Sequence, residues 1–392
     1  MKAITVSALL VVLISSSAKS QNSIDSVLIS IEKNNTKIAA LRDQADAEKI
    51  KSRTGIQLQN PEFGMNYLWG NPSLMGNRTD LSLLQTFDFP TSYGYKRKIA
   101  DFKKDQAELR FLAEKKEILL KASLLCIDMV HINKLMIEYK NWLVNAQELA
   151  KSYKAKFGAG DISILEYNKS QLNLLAAQKE YQMLELERAS SLAELTAMNG
   201  GIPVELNDTV YPAKTLPADF ETFYSRAEEL HPAILWFKQE NEICKMNEKL
   251  NTSMSLPKFT TGYISESNPG QKFQGVSIGL SIPLWENKNQ VKYARANSAS
   301  MLSFESDYKV TLRNNLKTLF EQSSIIQKSL NDYEQILTSL NSTPLLTKAL
   351  DKGEISLVEY LLELNIYFSG VKEYLDTEKE YHRKVTELMS FN

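Results

Sequence analysis

Apolar and polar positions follow two rhythms along the chain. Over most of its length apolar residues recur every three or four positions. Leu357, Leu361, Leu364, Phe368, Val371 and Leu375 advance by 4, 3, 4, 3 and 4, and Leu174, Ala177, Tyr181 and Leu184 by 3, 4 and 3. Such heptad stripes belong to long helices that pack in parallel layers. The pattern predicts helices over 23–58, 91–156 and 163–199, then over 219–253, 287–350 and 356–390, with almost no internal Gly or Pro. The helix over 91–156 would be roughly 100 Å long at about 1.5 Å per residue, too long to wrap around one compact core. Its flanking helices sum to nearly the same length, so stacked end to end they can run alongside it.

The second rhythm has period two and predicts strands. Phe63, Met65, Tyr67 and Trp69 alternate with Glu62, Gly64 and Asn66. Leu81, Leu83, Phe87 and Phe89 lie opposite Ser82, Thr86 and Asp88. Further on, Phe259 and Tyr263 alternate with Thr260 and Gly262, while Val276, Ile278, Leu280 and Ile282 alternate with Ser277, Gly279 and Ser281. One face is large and apolar, the other small or polar. That describes either a half-buried soluble sheet or a membrane barrel with lipid outside and water inside. Strand lengths of about ten residues favour the barrel, as do aromatic residues near strand ends (Trp69, Phe89, Trp285) and polar, turn-rich connections over 70–79 and 265–275. Four strands cannot close a membrane barrel, since the smallest have about eight, but three copies of the chain would supply twelve.

The chain also repeats itself. Residues 160–167 (Gly-Asp-Ile-Ser-Ile-Leu-Glu-Tyr) recur at 353–360 (Gly-Glu-Ile-Ser-Leu-Val-Glu-Tyr), a shift of 193 that also carries Pro90 onto Pro283. Upstream the shift becomes 196, placing 60–63 on 256–259, Glu32 on Glu228 and Ile38 on Ile234. The expected organisation is a first structural repeat over 21–199, a Gly/Pro-rich linker over 200–218, and a second repeat over 219–392. Each repeat reads helix, strand, strand, long helix, helix.

Composition narrows the function by exclusion. With 46 Lys+Arg against 47 Asp+Glu the near-neutral chain is no basic nucleic-acid binder. Residues 1–20 have the layout of a secretory signal: Lys2, an apolar run over 8–14, and Ala18-Lys19-Ser20 before Gln21. No other segment approaches the roughly 18 apolar residues of a membrane-spanning helix. No Cys follows the signal, so no lipid-modified N-terminus is expected. Cys126 and Cys244 fall in helical patterns roughly 30 Å apart along the helices and read as separate buried thiols. Residues 275–279 match G-x-S-x-G with His382 downstream, but the strand continues past Ser277 where a nucleophile elbow needs a sharp turn. His131, His231 and His382 are too scattered for a zinc set, and Met65, Met75 and Met129 read as packing rather than soft-metal ligands. There is no phosphate loop, CxxC or dinucleotide fingerprint. No catalytic residue, cofactor or metal site is expected.

The duplicated element order, the strand-to-helix junctions at Pro90 and Pro283-Leu284-Trp285, and the twice-occurring motif Gly-[Asp/Glu]-Ile-Ser-x-x-Glu-Tyr resemble the TolC-type outer-membrane efflux proteins over essentially the whole mature chain. The resemblance implies an α+β membrane protein: a long α-helical barrel in the periplasm, with four β-strands per protomer contributing to a trimeric, twelve-stranded transmembrane β-barrel. It implies a homotrimer that meets a periplasmic adaptor and an inner-membrane transporter of the resistance-nodulation-division type. The lipid-facing barrel residues would be Phe63, Met65, Tyr67, Trp69, Leu83, Phe87, Phe89, Phe259, Tyr263, Val276, Ile278, Leu280 and Ile282. The family's acidic constriction matches Glu359, with Glu166 its counterpart. A second acidic ring falls instead on Leu362, beside Glu363, and the Tyr and Arg that latch some members closed match Leu350 and Ile355. The adaptor-contacting tip would comprise Gly158, Gly160, Asp161 and Ser163 with Gly353, Glu354 and Ser356. An alternative reading is a periplasmic coiled-coil adaptor or scaffold with a small β-domain.

Overall fold

The computed structural model describes residues 23–339 and 343–391; the expected signal over 1–20 lies outside them. The long helix of the first half, α3 (Pro90–Ala159), is an uninterrupted run of 70 residues, about 105 Å at 1.5 Å per residue. It starts on Pro90, where a missing N–H costs nothing, and stops at Gly160, whose φ of 81° lets its N–H reach back to the carbonyls of Lys156 and Phe157. The chain turns there and returns as α4 (Ile164–Met198).

Two of the predicted helices are broken. The first divides into α1 (Ser23–Asn34) and α2 (Thr36–Ser52), because Asn35 takes extended angles and its side chain accepts the Ile38 N–H. In the second half α5 (Phe220–Leu230) and α6 (Pro232–Met254) meet at His231, ahead of a proline that cannot continue a helix. Asn35 and His231 are 196 residues apart, the shift that relates the two upstream segments. Of the helix predicted over 287–350, the described residues form α7 (Gln290–Ser339) and α8 (Thr343–Asp351), with Pro344 in the first turn of α8, where a proline is tolerated. The last helix is α9 (Leu357–Met389).

Alongside α3, the end of α4 meets the start of the chain. Asn199 accepts hydrogen bonds from Ser30 at 2.9 Å and Asn34 at 3.1 Å, while Asn35 donates to the Met198 carbonyl at 2.6 Å. The approach is close: a Cβ at Gly200 would stand 2.4 Å from the Asn34 carbonyl oxygen. Beneath the joint Ile31, Ile127, Val130, Leu195 and Leu206 are fully buried, each contributing on the order of 1.5–3 kcal/mol. Cys126 belongs to this core and Cys244 lies in α6; both are free thiols. A second core, of Phe220, Phe223, Ile234, Leu316 and Leu388, joins α5, α6, α7 and α9. The halves are also stitched by ion pairs between α3 and α9, Asp128–Arg383 at 2.6 Å and Lys134–Glu378 at 2.5 Å, with the neutral His131 between them 3.0 Å from Asp376.

The strands β1 (Glu62–Leu68), β2 (Arg78–Phe87), β3 (Lys258–Asn268) and β4 (Gln271–Ser281) form one antiparallel sheet in the order β1-β2-β3-β4. The two hairpins lie side by side, joined by the β2–β3 pairing. Their turns differ from expectation. Residues 265–275 were expected as a loop, yet β3 and β4 pair down to Asn268↔Gln271, leaving only Pro269 and Gly270 (φ 81°) to turn. β2 also begins earlier than the apolar alternation suggests, at Arg78.

Candidate channel wall and helical tip

The register decides what each side of the sheet presents. Phe63 pairs with Leu83, Leu83 with Tyr263 and Tyr263 with Val276, so one cross-strand row is apolar through all four strands. Phe87, Phe259 and Leu280 make a shorter row below it. Phe63 (70%), Val276 (76%) and Ile278 (84%) are largely exposed, an arrangement that in water would leave a large apolar surface bare. Met65, Tyr67, Leu83, Phe259, Tyr263 and Leu280 are exposed on this side too. Of the thirteen residues expected to face lipid, three fall outside the strands: Trp69 follows β1, Phe89 is the N-cap of α3, and Ile282 follows β4.

The other side is small and polar. Gly64 and Ser82 are partners, as are Ile264 and Gly275; Thr86, Thr260 and Gly279 form the next row, with the Thr86 and Thr260 hydroxyls 3.2 Å apart. Near the turns Arg78 binds Asp80 of its own strand at 2.6 Å and Glu266 of β3 at 2.9 Å. The alternation slips where Leu84, Ile264 and Phe273 lie on the polar side and Gln85 on the apolar one; Gln85 turns its amide to the Gln59 carbonyl.

At the opposite end of the helices the repeated motif shows its physical content. Gly160 and Gly353 (φ 72°) end a helix, and Ser163 and Ser356 begin the next. Each serine hydroxyl accepts the backbone N–H of Glu166 or Glu359, and each glutamate carboxylate in turn accepts the serine N–H, at 2.9 and 2.8 Å. The motif is therefore a helix stop followed by a capping box. Those N–H donors hold both carboxyls below the usual carboxylate range, so each glutamate keeps its negative charge. Gly158, Asp161, Ser163, Glu354 and Ser356 are exposed in the same turns.

The two tips pack on each other. Tyr153 of α3 is buried with Leu357, Tyr360, Leu364 and Phe368 of α9, and Leu350 and Ile355 pack against this cluster. The positions matching the family's polar latch thus serve an apolar contact within the chain. Leu362 is exposed, as is Glu363.

The discounted motifs stay apart. Ser277 lies within β4, which continues to Ser281, and His382 stacks on Tyr211 at 4.2 Å among the helices. Met65 is on β1, Met75 in the connection before β2 and Met129 in the α3 core. No group of three or more metal-binding side chains occurs among the described residues. The α3–α9 charge ladder and the paired capping boxes had escaped the sequence reading. A search for Ser-x-x-Glu behind a helix-ending glycine would have found the boxes.

The chain is thus a long helix flanked by stacked shorter ones and capped at one end by an amphipathic antiparallel sheet. No protein-family model and no curated protein matches the chain by sequence. Solved structures do match it by fold. A membrane protein from Pseudomonas aeruginosa has a TM-score of 0.79 at 13% identity, over 94% of this chain and 90% of that one. CusC, in a study of transmembrane channel formation, gives 0.77 at 13%, over 94% and 92%. The Campylobacter jejuni CmeC outer-membrane channel gives 0.70 at 16%, over 94% and 85%. The chain has the fold of the TolC-type outer-membrane channels.

Proposed function

We propose that the chain is the outer-membrane duct of a tripartite efflux or secretion system, passing substrates from a periplasmic adaptor and an inner-membrane transporter, of the resistance-nodulation-division type, to the exterior. The observation that carries this reading is the sheet: four strands, bare and apolar on one side, small and polar on the other, at the end of a helix about 105 Å long. Three such sheets would close a twelve-stranded barrel with lipid outside and water inside. The duct carries out no covalent chemistry; its work is to keep a wet path through lipid. In this reading residues 21–199 and 219–392 are two copies of one element, 200–218 is an equatorial segment, and the tip turns at 157–163 and 352–356 meet the adaptor. Glu359 and Glu166 supply the negative charge at the narrow end, where a ring of carboxylates favours cations.

Two measurements test this. Membrane fractionation distinguishes the duct from a periplasmic scaffold, since recovery without detergent in the soluble periplasmic fraction would end the duct reading. Single-channel recording of purified wild type and Glu359→Gln tests the gate. Glutamine keeps the capping-box acceptor and removes only the charge, so cation preference should fall while the tip stays folded. An unchanged preference would remove Glu359 from the constriction.

A further inference from the structure

The two sides of the sheet can be followed into the helices below it. Asp88, buried on the polar side, is bound by Lys96 at 2.8 Å, so Lys96 marks the polar side of the first turns of α3. At about 100° per residue Lys98 lies roughly 200° further round, on the apolar side, with Arg97 between. Arg97 and Arg53 line one concavity of about 210 Å3 together with Ile56, Ala100 and Asp101. The other strand-to-helix junction, after β4, has a matching character. Leu284, Trp285 and Tyr293 are exposed there, and Lys288 and Lys292 stand among them.

These five cations share a further property. Lys49, Lys96, Lys258 and Arg295, which neighbour them, are each paired with a carboxylate. Arg53, Arg97, Lys98, Lys288 and Lys292 are exposed and make no ion pair among the described residues. Glu62, Asp101 and Glu286 are exposed acids of the same region, and Glu286 is already paired with Lys258, so cations exceed acids. Arg97 is about 10 Å along α3 from its start, a distance within reach of a headgroup layer once a long side chain extends toward it.

We propose that this collar binds the anionic phosphate headgroups of the phospholipid leaflet at the helical end of the barrel, which rests on the membrane-barrel reading above. The exposed Trp285, Tyr293 and Leu284 would sit in the interface beside the charges, aromatic bodies toward the chains and basic heads on the phosphates.

The test uses the full-length protein in phosphatidylcholine vesicles carrying spin-labelled phosphatidylglycerol or spin-labelled phosphatidylcholine, reading the relative association of each label with the protein. Wild type should prefer the anionic lipid by at least about threefold, and Arg53→Gln/Arg97→Gln/Lys98→Gln/Lys288→Gln/Lys292→Gln should lose that preference. The milder Lys288→Gln/Lys292→Gln should lose part of it, which keeps the test open should the fivefold variant misfold. Lys103→Gln lies on the Lys96 side of the helix and should leave it unchanged. An equal loss in Lys103→Gln, or displacement of the lipid by inorganic phosphate at matched ionic strength, would overturn the collar. Flotation separates the two readings: a protein that floats with vesicles but shows no anionic preference refutes the collar alone, and one that does not float refutes the barrel and the collar with it.

Discussion

The seam between the two hairpins offers a steric test that depends on the register alone. Gly262 lies in the polar row between Leu84 and Ser277. A Cβ built on it would stand 2.1 Å from the Leu83 carbonyl oxygen and 2.9 Å from the Leu84 Cα, where real Cβ contacts stay above 3.0 Å. The Leu84 Cδ2 at 2.7 Å can swing away, but these two obstacles are backbone and cannot; the β2–β3 pair must separate by about 1 Å or break its ladder. Overpacking of this kind costs about 1–3 kcal/mol, and a clash with a paired carbonyl belongs at the upper end. Gly275, on the same side of the neighbouring strand, has nothing within 4 Å of its Cβ position. Gly275→Ala should therefore be neutral or slightly stabilising, since alanine loses less backbone freedom than glycine on folding. Gly64→Ala should fall between, its obstacle being the rotatable Ser82 hydroxyl at 2.6 Å. Hydrogen exchange read by mass spectrometry over 78–87 and 258–268 reports the seam directly. Gly262→Ala should open those peptides while Gly275→Ala leaves them protected. Equal protection in the two variants would mean that the register is wrong.

Two further outcomes follow from the helical part. Ser163→Ala and Ser356→Ala should each cost about 1 kcal/mol by removing a cap, seen as faster exchange in the first turns of α4 and α9, whereas Glu359→Gln should not; unchanged exchange in the serine variants would count against the capping boxes. His131 and His382 have pKa values pushed down to about 4, by burial first, then by Lys379 for His131 and Lys134 for His382, with Asp376 opposing at His131. An unfolded imidazole takes its proton near 6.5, so between that pH and about 4 the unfolded chain binds more protons and stability falls as pH falls. Denaturant midpoints at pH 7.5 and 5 should differ for wild type and converge for His131→Gln/His382→Gln; an equal drop in the variant would assign the acid sensitivity elsewhere.

The long helices were legible because a heptad stripe such as Leu357 to Leu375 keeps its phase over many turns, and the strands because Val276 to Ile282 alternate without a slip. What escaped has physical reasons. The β3–β4 turn was hidden because Ser265, Ser267, Lys272 and Gln274 occupy the apolar parity there, so alternation loses its amplitude although the ladder continues. The break at Asn35 follows from a single side chain that both caps α2 and grips Met198, and composition carries no trace of the second contact. His231-Pro232, at the equivalent position, was the more readable of the pair. At the tip, Glu166 and Glu359 were found by likeness, yet what fixes them locally is their reciprocal bond with a serine three residues earlier. The α3–α9 ladder joins residues such as Asp128 and Arg383, 255 apart in sequence, and no local pattern announces it.

Among the described residues β1 and β4 are paired on one side each, so every copy ends in two open borders of different sequence. In the proposed barrel these borders would join head to tail, β4 of one copy to β1 of the next. Such a chain of contacts either closes into a ring or grows into a filament. In that proposed assembly the twist and curvature of one four-stranded piece would set the stoichiometry, and a protomer caught before closure would carry two adhesive edges. Safe biogenesis of the proposed barrel would then require that ring closure keep pace with delivery of new chains.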